Sequence, residues 1–333
     1  MTDIKIGKNL ISKDSRPYII AEIGSNFDQD LNKAFKLIEK AAESGANAVK
    51  FQLFKTDELY KKTDALYSVF KSIELNPDWL PRLKDFSEEL NLDFLASAFD
   101  LKSLEILESL NVVAHKIASS ETTNLKFLRK CAGTGKPLII STGMCDMVDI
   151  EEAVNICRSA NNEQIILMQC GSIYPLEPKD ANLNVIHSLI NRFKYPVGLS
   201  DHTLDNIASI TAIGLGARVF EKHITMDKMS EGPDHFYAIE PKELDKYIHD
   251  INQAFMSLGS HQKSLLSLEK EIGRREGLYI TRDISSGDTI SADDIESKRP
   301  ALGIRSRYKN SIIGSNIQRD LKKGSPIYWE DLN

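Results

Sequence analysis

The sequence predicts an α/β fold, a (β/α)8 TIM barrel followed by a small β-rich domain. Short apolar segments typical of buried strands alternate with amphipathic helices along residues 1–258. The predicted strands cover residues 18–23, 48–51, 93–97, 114–117, 138–141, 165–170, 197–200 and 218–221. Eight strands alternating with helices favour a closed parallel barrel. The alternative, an open doubly wound sheet, would normally carry a glycine-rich turn after its first strand, where this chain has only Gly24.

The first predicted helix is the best defined of the barrel helices. Its apolar residues recur at steps of three and four: Leu31, Ala34, Phe35, Ile38, Ala41 and Ala42. Gly45 stands where a left-handed residue would end this helix. Pro81 begins a later helix, at a position where its missing N–H costs no hydrogen bond.

The last part of the chain contains an internal repeat. Residues 282–290 are echoed by residues 319–327, and Asp294-Ile295 by Asp331-Leu332, all at an offset of 37 residues. Each copy predicts a strand, a glycine turn, a second strand and the start of a short helix. We therefore predict a pseudo-symmetric domain over residues 278–333, joined to the barrel by a polar linker over residues 259–277. The repeat alone fits two alternatives equally well: a domain that takes part in function, and a domain that only caps the barrel or mediates assembly.

Composition narrows the class of protein. The 333 residues are 41% hydrophobic and 27% charged, as in ordinary globular proteins. A net charge of −6 gives no reason to expect nucleic acid or an anionic membrane as partner. The chain has no apolar run of membrane-spanning length and no signal-peptide pattern. Its four cysteines lack metal-type spacing and are expected to be reduced thiols, so we predict a cytoplasmic protein.

Two histidines follow neighbouring predicted strands. His202 lies in Ser200-Asp201-His202-Thr203 and His223 in Glu221-Lys222-His223-Ile224-Thr225, one strand–helix–strand step apart. Adjacent strands lie about 4.8 Å apart, so both imidazoles should emerge at the same carboxyl edge. Two neutral imidazoles with open coordination positions suit a catalytic divalent metal.

Polar residues follow all eight predicted strands, whose carboxyl ends converge on one mouth in a barrel. Lys50 and Lys116 supply positive charge suited to a phosphate or a phosphorylated carboxylate. Hydroxyls at the strand ends could complete that site: Ser97, Ser119, Ser141, Ser172 and Ser200. Glu22 is expected either to accept protons near the metal or to form a salt bridge with one of the lysines. Asp234, in a Gly-Pro-Asp turn, could meet substrate hydroxyls.

Nine ordered motifs resemble those of the sialic acid synthase family, which comprises N-acetylneuraminate synthase and the related legionaminic and pseudaminic acid synthases. The motifs are Ile20-Ala21-Glu22-Ile23-Gly24 with Asn26, Val49-Lys50-Phe51-Gln52, Lys116-Ile117-Ala118-Ser119, Ser141-Thr142-Gly143-Met144, Cys170-Gly171-Ser172-Ile173-Tyr174-Pro175, Ser200-Asp201-His202-Thr203, Glu221-Lys222-His223-Ile224-Thr225, Gly232-Pro233-Asp234-His235 and Lys298-Arg299-Pro300. The C-terminal repeats resemble the antifreeze-like (SAF-type) domain of that family.

The resemblance implies a transferase that condenses phosphoenolpyruvate with an N-acetylhexosamine, releasing phosphate and a nine-carbon 2-keto sugar acid. N-acetylmannosamine is the expected acceptor; its 6-phosphate and the 2,4-diacetamido-6-deoxyhexoses of the legionaminic and pseudaminic branches are the alternatives. His202 and His223 would bind Mn²⁺, or another divalent ion such as Mg²⁺ or Co²⁺, and Glu22 would manage protons. The phosphoenolpyruvate-binding set would be Lys50, Ser97, Lys116, Ser119, Ser141, Ser172 and Ser200. The sugar-binding set would be Gln52, Glu121, Tyr174, Asp234 and Arg299.

The resemblance also implies a domain-swapped homodimer in which the antifreeze-like domain of one subunit closes the other subunit's active site, so that Arg299 reaches the partner's sugar. One departure concerns the mouth: Phe27 stands where the family commonly has a histidine, which predicts the loss of an imidazole there. Two other functions fit parts of the sequence. A Schiff-base aldolase would use Lys50 or Lys116, and a non-enzymatic sugar- or ice-binding protein would use the antifreeze-like tail.

Overall fold

The computed structural model describes residues 2–273 and 275–333, and the chain divides into two compact units, Met1–Gly259 and Ser260–Asn333. The first unit begins with an antiparallel hairpin of β1 (Ile4–Ile6) and β2 (Asn9–Ile11). The sequence analysis did not predict this hairpin, because strands of three residues carry little periodic signal.

A closed barrel of eight parallel strands follows, in the order β10-β3-β4-β5-β6-β7-β8-β9. The strands are β3 (Tyr18–Gly24), β4 (Ala48–Leu53), β5 (Asp93–Ala98), β6 (His115–Ile117), β7 (Leu138–Ser141), β8 (Ile165–Gln169), β9 (Val197–Asp201) and β10 (Val219–His223). β10 pairs with both β9 and β3, which closes the barrel. The predicted barrel is therefore confirmed, and the open doubly wound sheet is excluded.

Helices connect the strands and form the outer layer of the barrel. They are α1 (Leu31–Glu43), α2 (Thr56–Leu59), α3 (Tyr67–Ser72), α4 (Leu80–Glu89), α5 (Leu101–Ser109), α6 (Ser119–Thr122), α7 (Leu125–Ala132), α8 (Met147–Ser159), α9 (Asn184–Phe193), α10 (Ile207–Gly214) and α11 (Pro241–Ser257), with 3₁₀ turns at Pro77–Trp79 and Pro178–Asp180. As predicted, Gly45 has a left-handed φ of 84° just beyond α1, and Pro81 lies in the first turn of α4. No helix among the described residues is long and apolar enough to cross a membrane.

The interior of the barrel is apolar at its amino-terminal end. Ile20, Leu95, Ile139 and Ile166 belong there to one buried cluster with Ile4, Ile6 and Ile11 of the hairpin. The hairpin therefore covers this end of the barrel. A second buried cluster joins the outward faces of the strands to the helices. Together these clusters leave the carboxyl ends of the strands as the place for polar side chains.

The second unit, Ser260–Asn333, shows the predicted internal symmetry. Ile284 and Leu321 exchange backbone hydrogen bonds of 2.9 and 2.8 Å, so the two copies meet at equivalent residues. Each copy also repeats a 2.5 Å ion pair, Arg282 with Asp294 and Arg319 with Asp331. Its regular elements are α12 (Ser267–Ile272), β11 (Gly277–Ile280), β12 (Ile295–Lys298) and α13 (Lys309–Ile312), with 3₁₀ turns at Ala292–Asp294, Ser306–Tyr308 and Trp329–Asp331.

The repeated segments of this region pair at isolated bridges, such as those between Ile284 and Leu321 and between Thr289 and Asn316. The predicted linker, residues 259–277, contains α12. Glu269 accepts a hydrogen bond of 2.9 Å from the Leu266 N–H at the start of that helix, which favours its formation.

Candidate active site

A cavity of about 620 Å³ opens at the carboxyl ends of the barrel strands. Most of the predicted site residues line it together: Glu22, Lys50, Gln52, Lys116, Ser119, Ser141, Ser172, Tyr174, Ser200, His202 and His223. Strand alternation explains this convergence, because residues two apart point to the same face. On β4 that face carries Lys50 and Gln52, and on β10 it carries Glu221 and His223.

Two lysines and two glutamates form a buried charge cluster in this cavity. Lys50 Nζ lies 2.9 Å from Glu22 Oε2 and 3.5 Å from Glu221 Oε1, and Lys116 Nζ lies 3.8 Å from Glu221 Oε1. The lysines also donate hydrogen bonds to hydroxyls, Lys50 to Ser97 over 3.1 Å and Lys116 to Ser141 over 2.5 Å. All four ionisable side chains are at most 5% exposed. The cluster balances its formal charges internally and presents two ammonium groups to a ligand.

The two glutamates of this cluster differ in proton affinity. Burial raises the pKa of Glu22 to about 7, with Lys50 opposing the shift and Glu221 adding to it. Burial also disfavours ionisation of Glu221, but Lys116 and Lys50 outweigh that effect and hold its pKa below the usual range. One carboxylate therefore stays charged between the lysines, whereas the other can gain or lose a proton near neutral pH.

His202 and His223 lie side by side, with ring centres 5.7 Å apart. The Nδ1–H of His202 donates to the Gly171 carbonyl over 2.8 Å, which leaves a lone pair on Nε2. Nδ1 of His223 is buried without a hydrogen-bond partner among the residues that the structure describes. Burial lowers the pKa of each imidazole to about 4, so both are neutral near pH 7.

These two imidazoles fit a divalent metal ion. Each is a neutral ligand with a lone pair for a metal, and Nδ1 of His223 is buried without a hydrogen-bond partner among the described residues. In the described part of the chain, no group of three or more histidine, cysteine, aspartate or glutamate side chains is arranged to hold a metal. The protein would thus supply two ligands and leave the remaining positions to substrate and water, as catalytic metal sites require.

Aromatic side chains surround the histidines. The ring of Tyr174 lies 4.3 Å from that of His202, and the ring of Tyr237 lies 5.0 Å from that of His223. Tyr237 donates a hydrogen bond of 2.7 Å to Asp234, which also accepts one of 3.0 Å from Ser25. Both oxygens of the Asp234 carboxylate are therefore engaged, beside His223.

Small polar groups converge beside Lys116. The Gly143 N–H donates to Ser119 Oγ over 3.0 Å and to Cys170 Sγ over 3.1 Å. A Cβ atom at Gly143 would lie 2.3 Å from Ser172 Oγ and 2.8 Å from Ser119 Oγ, so any larger residue would displace these hydroxyls. Hydroxyls and a backbone N–H next to an ammonium group are suited to binding phosphate oxygens.

Four predicted site residues lie outside the cavity lining. Ser97 accepts a hydrogen bond from Lys50, and the Asp234 carboxylate lies close enough to His223 to influence the pKa of its imidazole, so both residues adjoin the site. Glu121, a half-buried residue of α6, accepts a hydrogen bond of 3.1 Å from Asn124. Arg299 lies in the second unit with a side chain that is 67% exposed, 3.9 Å from Glu276.

Phe27, which stands where the family commonly has a histidine, is not among the residues that line the cavity. Its side chain is fully buried, with its ring centre 6.1 Å from that of Phe51 and 6.3 Å from that of Trp79. The ring therefore packs in the core instead of facing the mouth, because the loop after β3 turns this apolar residue inward.

The sequence analysis missed several residues that line the cavity. Glu221 belongs to one of the motifs above but was not predicted to line the site. It lies two residues before His223 on β10, so its side chain points to the same face of the strand. An apolar wall also lines the cavity, formed by Tyr60, Leu66, Phe70 and Phe99. Most of this wall comes from the connection between β4 and α4, where short helices carry no clear periodicity.

Known proteins share this architecture. The sequence matches the NeuB family over residues 37–263 and the SAF domain over residues 275–333. It is 36% identical to the N,N'-diacetyllegionaminic acid synthase of Legionella pneumophila, over 95% of this chain and 94% of that protein. It is 32% identical to the pseudaminic acid synthase of Helicobacter pylori, over 95% of this chain and 98% of that protein.

A solved structure agrees with these matches. It is the N-acetylneuraminic acid (sialic acid) synthetase from Leptospira borgpetersenii serovar Hardjo-bovis in complex with citrate, which superposes with a TM-score of 0.77 at 33% identity. The superposition covers 81% of this chain and 95% of that chain. These likenesses confirm the family resemblance inferred from the motifs. The chain therefore belongs to the NeuB family of sialic, legionaminic and pseudaminic acid synthases, with a SAF domain after its barrel.

Proposed function

We propose that this enzyme condenses phosphoenolpyruvate with the aldehyde form of an N-acylated amino sugar to give a nine-carbon 2-keto sugar acid and phosphate. The observation that carries the proposal is the pairing, in one cavity, of a buried two-lysine cluster with two buried neutral imidazoles. The lysine cluster suits a phosphorylated carboxylate, and the two imidazoles suit a metal ion that binds the sugar.

The phosphoenolpyruvate side would be bound by Lys50, Lys116 and the hydroxyls beside them. The ammonium groups attract the carboxylate and the phosphate, and the Gly143 N–H with its neighbouring hydroxyls adds hydrogen bonds to phosphate oxygens. Glu221 stays ionised between the two lysines, and its charge favours the ammonium form of both, against the burial that lowers the pKa of Lys116. This arrangement holds the enol double bond at a fixed position without covalent attachment.

The acceptor side would be formed by His202, His223 and Tyr174. The two histidines would hold Mn²⁺ or another divalent ion, which when bound supplies positive charge that polarises the sugar aldehyde. Gln52, which donates a hydrogen bond of 3.0 Å to Glu22, points its amide into the same cavity and can contact sugar hydroxyls.

Glu22 would accept and return a proton during the reaction. The enol electrons of phosphoenolpyruvate form a bond from C3 to the aldehyde carbon, while the electrons of the C=O double bond move to the aldehyde oxygen. A water molecule adds at the electron-poor C2, and ionised Glu22 accepts one proton of that water and passes it to the former aldehyde oxygen, which becomes a hydroxyl. Collapse of the C2 intermediate then breaks the bond to the phosphate oxygen, transfers the remaining water proton to the departing phosphate and leaves the 2-keto group. A carboxyl with a pKa of about 7 suits this proton transfer, because it exchanges protons readily near neutral pH.

N-acetylmannosamine is the acceptor that we propose first, on the likeness to the sialic acid synthetase from Leptospira borgpetersenii. A 2,4-diacetamido-6-deoxyhexose is the second candidate, and the apolar wall of Tyr60, Leu66, Phe70 and Phe99 favours it. Methyl groups of such a sugar would be buried against that wall, whereas sugar hydroxyls would find no partner on the apolar rings. The likeness to a legionaminic acid synthase points the same way.

We also propose that the enzyme acts as a homodimer in which the SAF domain of one subunit covers the partner's mouth. Exposed apolar side chains rim the mouth, among them Met144, Ile173 and Phe236, which are 71%, 61% and 55% exposed. In the second unit, Arg299 belongs to an arginine-rich cavity that could receive polar substrate groups. Sedimentation analysis should give a dimer, and a monomer of full activity would contradict this part of the proposal.

Phosphate release tests the proposed reaction. The full-length enzyme is stripped of metal with a chelator and assayed with phosphoenolpyruvate and each of N-acetylmannosamine, its 6-phosphate and the two diacetamido sugars. We expect release only when both a suitable sugar and Mn²⁺ are present. Full activity without any divalent metal would contradict the proposal. Borohydride trapping of a substrate on Lys50 or Lys116 would instead support the Schiff-base aldolase.

A further inference from the structure

A buried ion pair lies on the outer side of the two strands that carry the histidines. Asp201 on β9 and Lys222 on β10 are cross-strand neighbours in the barrel register. Each is only 2% exposed, and Lys222 Nζ lies 3.2 Å from Asp201 Oδ2. Strand alternation turns both side chains toward the helices, away from the cavity that Ser200 and Glu221 line.

Lys222 also binds the backbone that follows His202. Its ammonium group donates to the Thr203 carbonyl and, over 3.2 Å, to the Asp205 carbonyl. With the contact to Asp201, these bonds use all three donors of the ammonium group. The residue just before His223 therefore fastens the segment that begins just after His202.

Asp201 completes the network from the other strand. Its Oδ1 accepts hydrogen bonds from the Thr203 N–H over 2.9 Å and the Thr203 hydroxyl over 2.7 Å. Its Oδ2 accepts from Ser209 on α10 over 2.8 Å, and Ser209 is in turn hydrogen-bonded to Tyr247 on α11 over 2.7 Å. Both neighbours of His202 in the chain are thus fixed to the helix layer and to β10.

We propose that Lys222, through Asp201 and Thr203, is a positioning residue that sets the separation and orientation of the His202 and His223 imidazoles. The inference rests on the proposed function, because it assigns the network to a metal site. A buried ion pair is weak evidence of stabilisation, since apolar residues of similar volume often replace such a pair without loss. Its bonds to the chain on either side of His202 are what indicate a positioning role.

The test measures metal binding directly on the metal-free, full-length protein. Mn²⁺ is titrated into wild type and K222M while the electron paramagnetic resonance signal of the free ion is followed. We expect the Mn²⁺ dissociation constant of K222M to rise about 10- to 100-fold, as is typical when a residue that orients a metal ligand is lost. Phosphoenolpyruvate affinity without metal, measured by calorimetry, should stay as in wild type, which general damage to the barrel would not allow.

Two further variants complete the comparison. K222R should recover most of the Mn²⁺ affinity, because its guanidinium can donate to the same carbonyls and a cavity of about 210 Å³ beside residue 222 gives it room. K246M is the matched control, since Lys246 lines the same cavity but its side chain is 70% exposed and pairs with Asp250. Its Mn²⁺ affinity should equal that of wild type.

Each other outcome overturns the inference in a distinct way. Folded K222M with wild-type Mn²⁺ affinity would show that the ion pair does not position the histidines. If K222M fails to fold, K222R and D201N decide: wild-type affinity in both, or failure of both to fold, also overturns a positioning role. Absence of Mn²⁺ binding by the wild type would instead remove the metal from the proposed function, and the inference with it.

Discussion

The two ends of the barrel interior are built from the same strands and differ in almost every physical property. On β3, Ile20 lies in the apolar end and Glu22 in the cavity; on β7, the corresponding residues are Ile139 and Ser141. A step of two residues along one strand thus separates a tightly packed interior from a charged site. The amino-terminal end should therefore govern stability and the carboxyl end activity, and each can be disturbed with little effect on the other.

The largest expected effect is on activity at the carboxyl end. Glu22→Gln should lower kcat about 100- to 10,000-fold, because the amide cannot accept the proton of the attacking water. Unfolding in urea should show no comparable loss of stability, since the substitution removes a buried charge and keeps the shape of the side chain. A variant that keeps wild-type kcat would exclude Glu22 as the proton acceptor. Glu105→Gln, at an exposed position of α5, is the control and should leave kcat unchanged.

The same residue predicts a pH dependence. Because burial raises the pKa of Glu22 to about 7, the ionised form gains population as the pH rises through that value, and kcat should rise with it. The stabilisation that this group contributes has the opposite trend: it is complete below the unfolded pKa of about 4.5 and lost as the pH rises through about 7. Both trends should be absent from Glu22→Gln, and a pH–rate profile with chemical-denaturation curves measures them.

Gly143→Ala should weaken phosphoenolpyruvate binding. The added methyl group would lie 2.3 Å from Ser172 Oγ and would force apart the hydroxyls beside Lys116. Loss of a hydrogen bond to a charged group costs about 1.5–3 kcal/mol, so we expect KM for phosphoenolpyruvate to rise roughly 10- to 150-fold. The KM for the sugar should change much less, and equal changes in both would contradict a local effect on the phosphate side.

Ile139→Ala disturbs the amino-terminal end of the barrel and should therefore affect stability instead of activity. Removing a fully buried side chain at the amino-terminal end should cost about 2–5 kcal/mol of unfolding free energy through lost burial and a residual cavity. The kcat and KM of the folded enzyme at low temperature should stay near wild type, because the cavity residue Ser141 keeps its strand position. A large loss of kcat with little loss of stability would show that the two ends are not independent.

Phe27→His should have the smallest effect on catalysis. The substitution restores the residue that the family commonly has, yet it places an imidazole among Phe51 and Trp79 in the core. We expect a loss of about 1–3 kcal/mol in unfolding free energy from the buried polar ring, and no gain in kcat. A clear gain in activity would mean that residue 27 reaches the substrate.

The sequence predicts those features of the fold and the site that depend on patterns within a short segment of the chain. The barrel was predictable because alternating apolar segments and helices have periods that sequence displays directly. The lysines and histidines of the site were predictable because parallel strands bring their carboxyl ends together. Glu221 could have been predicted by the same parity argument, since it lies two residues before His223 on β10.

Other features depend on packing that no local pattern encodes. The inward turn of Phe27 is set by the rings of Phe51 and Trp79, which are distant in sequence. The apolar wall near Phe70 comes from short helices, whose few residues define no face. The outward pair Asp201–Lys222 has the sequence pattern of a solvated loop, and only the helix layer over it makes it a buried network.

The N-terminal hairpin has a kinetic consequence for the proposed reaction. Because it covers the amino-terminal end of the barrel, ligands enter the cavity from the carboxyl ends of the strands. Lys50 and Lys116 are 4% and 3% exposed, whereas Tyr174 beside the histidines is 44% exposed. We therefore expect the ligand of the lysines to bind before the sugar, and an excess of sugar over phosphoenolpyruvate should inhibit the enzyme.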